Sequence, residues 1–189
     1  MNFDDDLTAC AQILNKGGII LYPTDTIWGL GCDATNKPAV TKIFALKQRE
    51  EKKSMIILLD TENCIGNYCK APSLAIKKIL SETVSPLTII YPGAKNLATN
   101  LINEDGTIAI RIVKDAFCEA LLKSFGKPIV STSANISGEA SPGFFGEVSV
   151  AMKIGADYIV KHRQNDATIA IPSKIILWKN DEEIVVIRE

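Results

Sequence analysis

The chain has 189 residues, of which 47% are hydrophobic and 23% charged, and its formal net charge is −1 at pH 7. This length and apolar content suit one domain with a full core, so we predict a single domain over residues 1–189. No apolar run approaches the roughly 20 residues of a transmembrane helix, and the acidic start of the chain lacks an apolar signal region, which predicts a cytoplasmic protein without membrane contact.

Hydrophobic periodicity divides the chain into alternating helices and strands. We predict helices over residues 3–16, 36–47, 72–80, 115–124 and 147–153, and strands over residues 19–22, 55–59, 86–91, 107–112, 128–130, 157–160, 174–178 and 184–188. Some neighbouring strands are joined by tight turns, which favours a mixed α/β sheet over a purely parallel one. The phosphate-binding patterns G-x-x-x-x-G-K-[ST] and G-x-G-x-x-G are absent, so a bound nucleotide would be held by other means.

Polar residues follow the first predicted strand. Thr24, Asp25 and Thr26 come directly after it, at the kind of strand end where open α/β sheets bind ligands. The glycines at 29 and 31 predict tight backbone turns. Either this segment faces a ligand, or it is a capped loop that leads to the next helix.

A basic segment follows the second predicted helix. Lys47 and Arg49 are two residues apart, so they can act together only if the helix ends near Leu46 and the chain becomes extended. With Lys53 they would then form a cationic clamp for phosphates. The alternative is a solvated charged loop, because acids at 50 and 51 nearly balance the charge.

Two further stretches suit a ligand site. The strand over 107–112 alternates apolar residues with a second face that carries Thr107 and Arg111, so Arg111 either reaches solvent or binds an anion. The strand that begins at Pro128 runs into the small polar residues of the stretch 131–138. Short side chains of this kind let a ligand approach the backbone, although turn formers alone would give the same composition.

Several kinds of site are disfavoured. The five cysteines are scattered, with no C-x-x-C pair, so neither a disulfide framework nor a zinc site is predicted. The chain has a single histidine, His162, so any site that needs two histidine side chains is excluded. A sequence pI of about 5.9 argues against nucleic-acid binding through overall charge, so any RNA contact must come from a local patch.

Four motifs in this order resemble the YrdC-like family of threonylcarbamoyl-AMP synthases, in its short bacterial form. They are YPTDTIWGLG at 22–31, KQR at 47–49, AIR at 109–111 and STSANISG at 131–138. The resemblance implies a twisted mixed sheet with flanking helices and a concave, positively lined cavity. It also implies synthesis of threonylcarbamoyl-AMP and pyrophosphate from L-threonine, bicarbonate or carbon dioxide, and ATP. A separate enzyme would transfer the threonylcarbamoyl group to the adenosine beside the anticodon of certain tRNAs.

The resemblance also implies roles for individual residues. The implied catalytic residues are Lys47, Arg49, Ser133 and Asn135. The implied ATP-binding residues are Lys47, Arg49, Lys53, Thr107, Ser133, Asn135, Ser141 and Arg188. The implied threonine-binding residues are Thr24, Arg111, Ser131 and Ser173. Mg²⁺ would be carried mainly by the ATP phosphates, with Asp25 as an outer ligand, and Arg163 in the polar loop 161–171 would close over the phosphates.

The carboxyl-terminal part departs from the family pattern. Many members read Ser-Thr-(Ile/Val)-Val-Asp where this chain has Ser173-Lys174-Ile175-Ile176-Leu177, so the threonine and aspartate roles do not carry over. Two other hypotheses stay open. One is a module that binds tRNA or double-stranded RNA without catalysis, and the other is a carbamoyl-transfer enzyme of the hydrogenase-maturation type.

Overall fold

The computed structural model describes residues 3–50 and 55–189. Its α-helices are α1 (Asp4–Asn15), α2 (Lys37–Leu46), α3 (Ile65–Tyr68), α4 (Leu74–Glu82), α5 (Ala116–Phe125) and α6 (Val150–Gly155). Its strands are β1 (Ile20–Tyr22), β2 (Gly29–Gly31), β3 (Ile56–Leu59), β4 (Leu87–Tyr91), β5 (Ile108–Ile112), β6 (Ile129–Ser133), β7 (Tyr158–Ile159), β8 (Lys174–Trp178) and β9 (Ile184–Arg188).

All these strands join one nine-stranded sheet in the order β7-β1-β2-β6-β3-β5-β4-β8-β9. The pairs β1/β7, β3/β5 and β4/β8 are parallel, and the other pairs are antiparallel. The prediction of a mixed α/β sheet is therefore confirmed. Strands β6, β3 and β5, which carry or adjoin the polar motifs, lie side by side in the middle of the sheet.

Helices cover both faces of the sheet. On one face, Cys10 and Leu14 of α1 pack with Phe117 and Leu121 of α5 against β1 and β6. The larger apolar cluster on the other face contains side chains from α2, α4 and α6, such as Ile43, and also the indole of Trp28. Ile110 of β5 and Val130 of β6 belong to the larger cluster, so the residues that follow them, Arg111 and Ser131, lie on the opposite face of the sheet.

The region of the two glycines differs from the prediction. Residues 29–31 form strand β2 between β1 and β6, and neither glycine has a positive φ. A Cβ on Gly31 would lie 2.7 Å from the Tyr22 ring and 2.9 Å from the Val130 carbonyl oxygen, and one on Gly29 would lie 3.1 Å from the Thr132 carbonyl oxygen. The prediction of tight turns here is wrong, because the glycines serve close packing inside the sheet.

Most other boundaries agree with the predictions to within two or three residues. Strand β6 continues through Ser133, beyond the predicted end at 130, because its backbone pairs with β2 and β3 whatever side chains it carries. The last predicted helix begins later, at Val150, with Ser149 as its N-cap. No helix among residues 3–50 and 55–189 has the length and apolar character to cross a membrane.

Candidate active site

A cavity of about 300 Å³ opens where β2, β6, β3 and β5 meet the carboxyl-terminal segment. We call it the arginine cavity. Its polar lining consists of Arg49, Arg111, Arg188, Thr26, Thr132, Ser131, Ser133, Ser141 and Ser173. Within the described part of the chain, no carboxylate lines it. Three arginines around one space, with the hydroxyls of Ser131 and Ser133 beside them, make a site for an anion that also accepts hydrogen bonds.

Arg49 enters this cavity because α2 ends at Leu46. The N–H of Gln48 donates to the Ala45 carbonyl at 3.1 Å and the N–H of Arg49 to the Phe44 carbonyl at 2.9 Å, which is a Schellman motif. Gln48 occupies its left-handed position with φ of 48°. The helix end is as predicted, but the expectation of extended chain at 47–49 is wrong. Partial burial lowers the pKa of Arg49, so an anion beside it would be favoured.

Lys47 is not part of the cavity lining. Its side chain is buried, and its ammonium donates to the carbonyl oxygen of Ser133 and, at 2.7 Å, to that of Asn135. Its own carbonyl accepts from the N–H of Ser137 at 2.8 Å. Lys47 therefore fastens the end of α2 to the loop after β6. Burial and the nearby charge of Arg49 lower the pKa of Lys47 to about 8.

Ser133 and Asn135 lie where β6 becomes a loop. Ser133 is the last residue of the strand and lines the arginine cavity. The Asn135 amide nitrogen donates to the carbonyls of Ile136 at 2.9 Å and Glu139 at 2.7 Å, while its buried Oδ1 has no partner among the described residues. The structure therefore brings Ser133 to the cavity, and leaves in Asn135 a buried acceptor without a donor.

Arg111 is almost fully buried on β5 and lines the cavity. One of its terminal nitrogens lies 3.1 Å from Oδ1 of Asp25, with side-chain exposures of 4% and 7%. The pair is an ionic contact without hydrogen-bond geometry, and Nε of Arg111 has no partner in residues 3–50 and 55–189. Desolvation outweighs the attraction of Arg111 and raises the pKa of Asp25. The guanidinium thus keeps donors for a ligand.

Arg188 is held by the segment that precedes β8. Its Nε and one terminal nitrogen donate to the carbonyl oxygen of Ser173 at 2.9 and 2.6 Å. The Ser173 hydroxyl is itself hydrogen-bonded to the hydroxyl of Thr88 at 2.8 Å. Thr88 is fully buried within an apolar strand, and no sequence motif indicated that it supports the site. Partial burial, and then the charge of Arg111, lower the pKa of Arg188.

Two other predicted site residues, Thr24 and Thr107, lie elsewhere. The Thr24 hydroxyl is used within its own loop, and Thr24 lines a neighbouring cavity of about 350 Å³ with Asp25 and Arg163. The Thr107 hydroxyl bonds to Asp105 and Asn103 in the turn before β5, away from the arginine cavity. Lys53 lies outside the described residues. The structure thus gathers seven predicted residues: Arg49, Arg111, Ser131, Ser133, Ser141, Ser173 and Arg188.

Arg163 does not face the arginine cavity. It pairs with the carboxylate of Asp115 and donates to the Thr24 carbonyl at 3.2 Å, so it ties the loop after β7 to the polar segment after β1. The prediction that Arg163 closes over phosphates has no support in this arrangement. Thr26, by contrast, borders both cavities, although no feature of the motif favoured it over Thr24.

The metal chemistry of the site is limited. In the described ranges, no group of three His, Cys, Asp or Glu side chains could hold a metal ion. Asp25 is the carboxylate nearest to the site residues, and it is engaged by Arg111. That Mg²⁺ is carried mainly by the ATP phosphates stays a prediction.

Known proteins resemble this chain over most of its length. The sequence model of the Sua5_yciO_yrdC family, described as "Telomere recombination", matches residues 12–189. A threonylcarbamoyl-AMP synthase of Idiomarina loihiensis is 35% identical over 180 residues, which cover 94% of this chain and 96% of that protein. One of Pseudoalteromonas translucida is 36% identical over 142 residues, 74% of this chain and 76% of that protein.

A solved structure shares the fold. Sua5 of P. abyssi, determined in complex with L-threonine, superposes with a TM-score of 0.87 at 22% sequence identity. The match covers 98% of this chain and 54% of that one, so this chain spans about half the length of P. abyssi Sua5.

Proposed function

This chain belongs to the Sua5_yciO_yrdC family, and we propose on that premise that it is an L-threonylcarbamoyladenylate synthase. It makes threonylcarbamoyl-AMP and pyrophosphate from L-threonine, bicarbonate or carbon dioxide, and ATP. The observation that carries the proposal is the arginine cavity, where three guanidinium groups converge without a carboxylate among the described lining residues. Such a site is suited to two anionic substrates at once, a triphosphate and an amino-acid carboxylate.

We assign the triphosphate to Arg49 and Arg188, which line the same cavity. Their positive charges would offset the charge on the phosphates, and the hydroxyls of Ser133 and Ser141 would donate to phosphate or ribose oxygens. The contribution of Lys47 is indirect in this arrangement, because its ammonium holds the backbone of the loop that presents Ser133. Asn135 does not line the cavity, and it would act through the loop after Ser133, where its amide nitrogen donates to the carbonyls of Ile136 and Glu139.

We assign the carboxylate of threonine to Arg111. A guanidinium binds a carboxylate with two parallel hydrogen bonds, and Arg111 is the most deeply buried of the three arginines that line the cavity. Ser131 and Ser173 lie in the same lining and supply hydroxyls for the rest of the amino acid.

The chemistry takes two steps. The ammonium of threonine first loses a proton to solvent. The amine then attacks carbon dioxide and releases a second proton to solvent, or displaces water from bicarbonate, to give a carbamate. A carbamate oxygen then attacks the α-phosphorus in line, a new O–P bond forms, and the bond to pyrophosphate breaks with its electron pair on the leaving group. The carbamate is already an anion, so positioning and charge neutralisation can carry this step without a strong base. His162 fits this view, since it packs against Phe3 and Phe117, 5.2 and 5.4 Å between ring centroids.

Magnesium enters this reaction as part of the substrate. The chain offers no cluster of ligands for it in the described ranges, so the phosphates of ATP would carry the ion. A role for Asp25 as an outer ligand would require it to leave Arg111. The threonylcarbamoyl-AMP product would go to a separate enzyme that modifies tRNA.

The site assignment is tested by pyrophosphate release with ATP, Mg²⁺ and bicarbonate, with and without L-threonine. We expect threonine-dependent release that falls at least a hundredfold in Arg49→Ala and Arg111→Ala, since each change removes a charged hydrogen-bonding group. The matched control is Lys123→Ala, an exposed cation on α5, which should keep full activity. Unchanged release in both arginine variants would contradict the assignment. Salt-dependent RNA binding without any pyrophosphate release would favour the RNA-binding hypothesis instead.

A further inference from the structure

The hydroxyls of Thr24 and Thr26 form a hydrogen bond whose direction the surrounding contacts decide. Their Oγ1 atoms lie 2.9 Å apart. Thr24 Oγ1 also lies 2.9 Å from the carbonyl oxygen of Ile27, and it accepts from the N–H of Thr26 at 3.0 Å. A carbonyl oxygen cannot donate, so the single proton of the Thr24 hydroxyl goes to Ile27.

It follows that Thr26 is the donor in the bond between the two hydroxyls. Its one proton points to Thr24, and nothing else in residues 3–50 and 55–189 hydrogen-bonds to its oxygen. The Thr24 hydroxyl then donates one hydrogen bond and accepts two, which is its full hydrogen-bonding capacity. Thr26 Oγ1 is left with lone pairs and no proton to give, so towards a ligand it can act only as an acceptor.

The position of Thr26 limits which ligand group can use that acceptor. Thr26 is 9% exposed and borders both the arginine cavity and the neighbouring cavity. It directly follows Asp25, whose carboxylate lies 3.1 Å from the Arg111 guanidinium. An acceptor without a proton disfavours phosphate and carboxylate oxygens, and it favours an N–H or O–H group close to the anion on Arg111.

We propose that Thr26 Oγ1 accepts a hydrogen bond from the α-nitrogen of the amino-acid substrate whose carboxylate Arg111 binds. The proposal rests on the proposed function. The α-nitrogen is the donor nearest to a bound carboxylate, since one carbon separates them, whereas two carbons separate the threonine hydroxyl from it. The nitrogen also keeps an N–H after it has become a carbamate, so the same contact holds the substrate before and after carbon dioxide is captured.

Thr24 has a positioning role in this account. It receives the Thr26 proton and so keeps Thr26 Oγ1 an acceptor. Without the Thr24 hydroxyl, the Thr26 hydroxyl could rotate and point its proton at the ammonium of the substrate. Thr24→Val should therefore weaken threonine binding although Thr24 itself touches no substrate.

The test is calorimetric titration of L-threonine and of ATP into wild type, Thr26→Val and Thr26→Ser. Valine keeps the shape of threonine without the hydroxyl, so we expect threonine affinity to fall roughly ten- to hundredfold in Thr26→Val and ATP affinity to stay within about twofold. Thr26→Ser should bind threonine within a few-fold of wild type. Unchanged ATP binding also shows that the variant is folded, and unchanged threonine affinity in Thr26→Val would overturn the proposal.

A second ligand identifies the group that Thr26 contacts. L-2-Aminobutyrate lacks the hydroxyl of threonine but keeps its α-amino group. If Thr26 contacts the nitrogen, Thr26→Val loses the same factor of affinity for both ligands. A loss confined to threonine would show that Thr26 contacts the hydroxyl, and would overturn the proposal.

Further measurements distinguish a failure of the Thr26 proposal from a failure of the proposed function. Thr24→Val should lower threonine affinity by an intermediate factor that Thr24→Ser restores, and full affinity in Thr24→Val would refute the positioning role. Wild type that binds threonine but releases no pyrophosphate would contradict the proposed function, while the Thr26 variants would still decide the Thr26 contact. Absence of threonine binding in wild type would overturn both.

Discussion

The buried contact between Arg111 and Asp25 links charge balance to ligand binding at the level of single residues. Asp25→Asn keeps the size of the side chain but leaves the Arg111 charge without a partner. Breaking a buried pair in this way costs about 3 kcal/mol of unfolding free energy, and bound anions should recover part of that loss. We therefore expect urea unfolding to show a large destabilisation that millimolar phosphate reduces more in the variant than in wild type.

A matched surface pair gives the control for this prediction. Lys78 and Glu82 lie 3.8 Å apart with side-chain exposures of 72% and 65%. Glu82→Gln should change the unfolding free energy by less than about 0.5 kcal/mol, since exposed pairs contribute little. Equal losses of unfolding free energy in Asp25→Asn and Glu82→Gln would mean that the buried pair stabilises the protein no more than an exposed pair does.

The unfolding free energy depends on pH through Lys47, and the lowered pKa of this residue sets the direction of the dependence. The pKa of Lys47 is lowered to about 8 from an ordinary value of 10.5, first by burial and then by Arg49. Between these values the unfolded chain binds a proton that the folded protein does not, so this residue makes the protein more stable as pH rises. The unfolding free energy of wild type relative to Lys47→Met should therefore increase between pH 8 and 10, by at most about 1.4 kcal/mol per pH unit. A difference that is constant over this range would contradict the burial of a charged Lys47.

At the level of single elements, the end of α2 contains a residue in an unfavourable conformation. Gln48 has φ of 48° at the left-handed position of the Schellman motif, where glycine is usual. We predict that Gln48→Gly raises the unfolding free energy by about 0.5–1 kcal/mol, because glycine adopts this conformation without a steric penalty. The control is Gln48→Ala, which keeps the penalty and should give no gain in thermal unfolding. An equal gain in both variants would show that the backbone conformation is not the cause.

Strand β2 depends on glycine for a different reason. A Cβ on Gly31 would lie 2.7 Å from the Tyr22 ring and 2.9 Å from the Val130 carbonyl, so Gly31→Ala should cost about 1–3 kcal/mol through overpacking. Gly66→Ala is the control, since the nearest atom to its added Cβ would be 3.6 Å away. Chemical denaturation of both variants tests this, and similar stabilities would argue against close packing of β2.

These elements also show what a sequence can and cannot predict. Periodicity located nearly every longer helix and strand, because amphipathic patterns depend on local spacing. Periodicity did not reveal β2, because the sequence does not distinguish a glycine that is needed for close packing from one that is needed for a turn. It also placed Lys47 in the cavity beside Arg49, because spacing does not show that the chain turns through a left-handed residue at Gln48.

At the scale of the whole molecule, the site depends on contacts between distant parts of the chain. Arg188 on the edge strand, Thr88 on β4 and Ser173 before β8 meet through hydrogen bonds that no local pattern indicates. The motif residues Arg111 and Ser131 meet because β5 and β6 flank β3. The order of the motifs thus predicted which segments form the site. The residues that support the site, such as Thr88, could be identified only from the fold.

The central claim is that this cavity joins a threonine carbamate to AMP. The most direct measurement is mass spectrometry of the product formed from ATP, Mg²⁺, L-threonine and ¹³C-bicarbonate. We predict threonylcarbamoyl-AMP that carries one ¹³C atom, in amounts that match the pyrophosphate released and that vanish without threonine. Pyrophosphate release with only unlabelled AMP, or no product in folded protein that binds both ATP and threonine, would contradict the account.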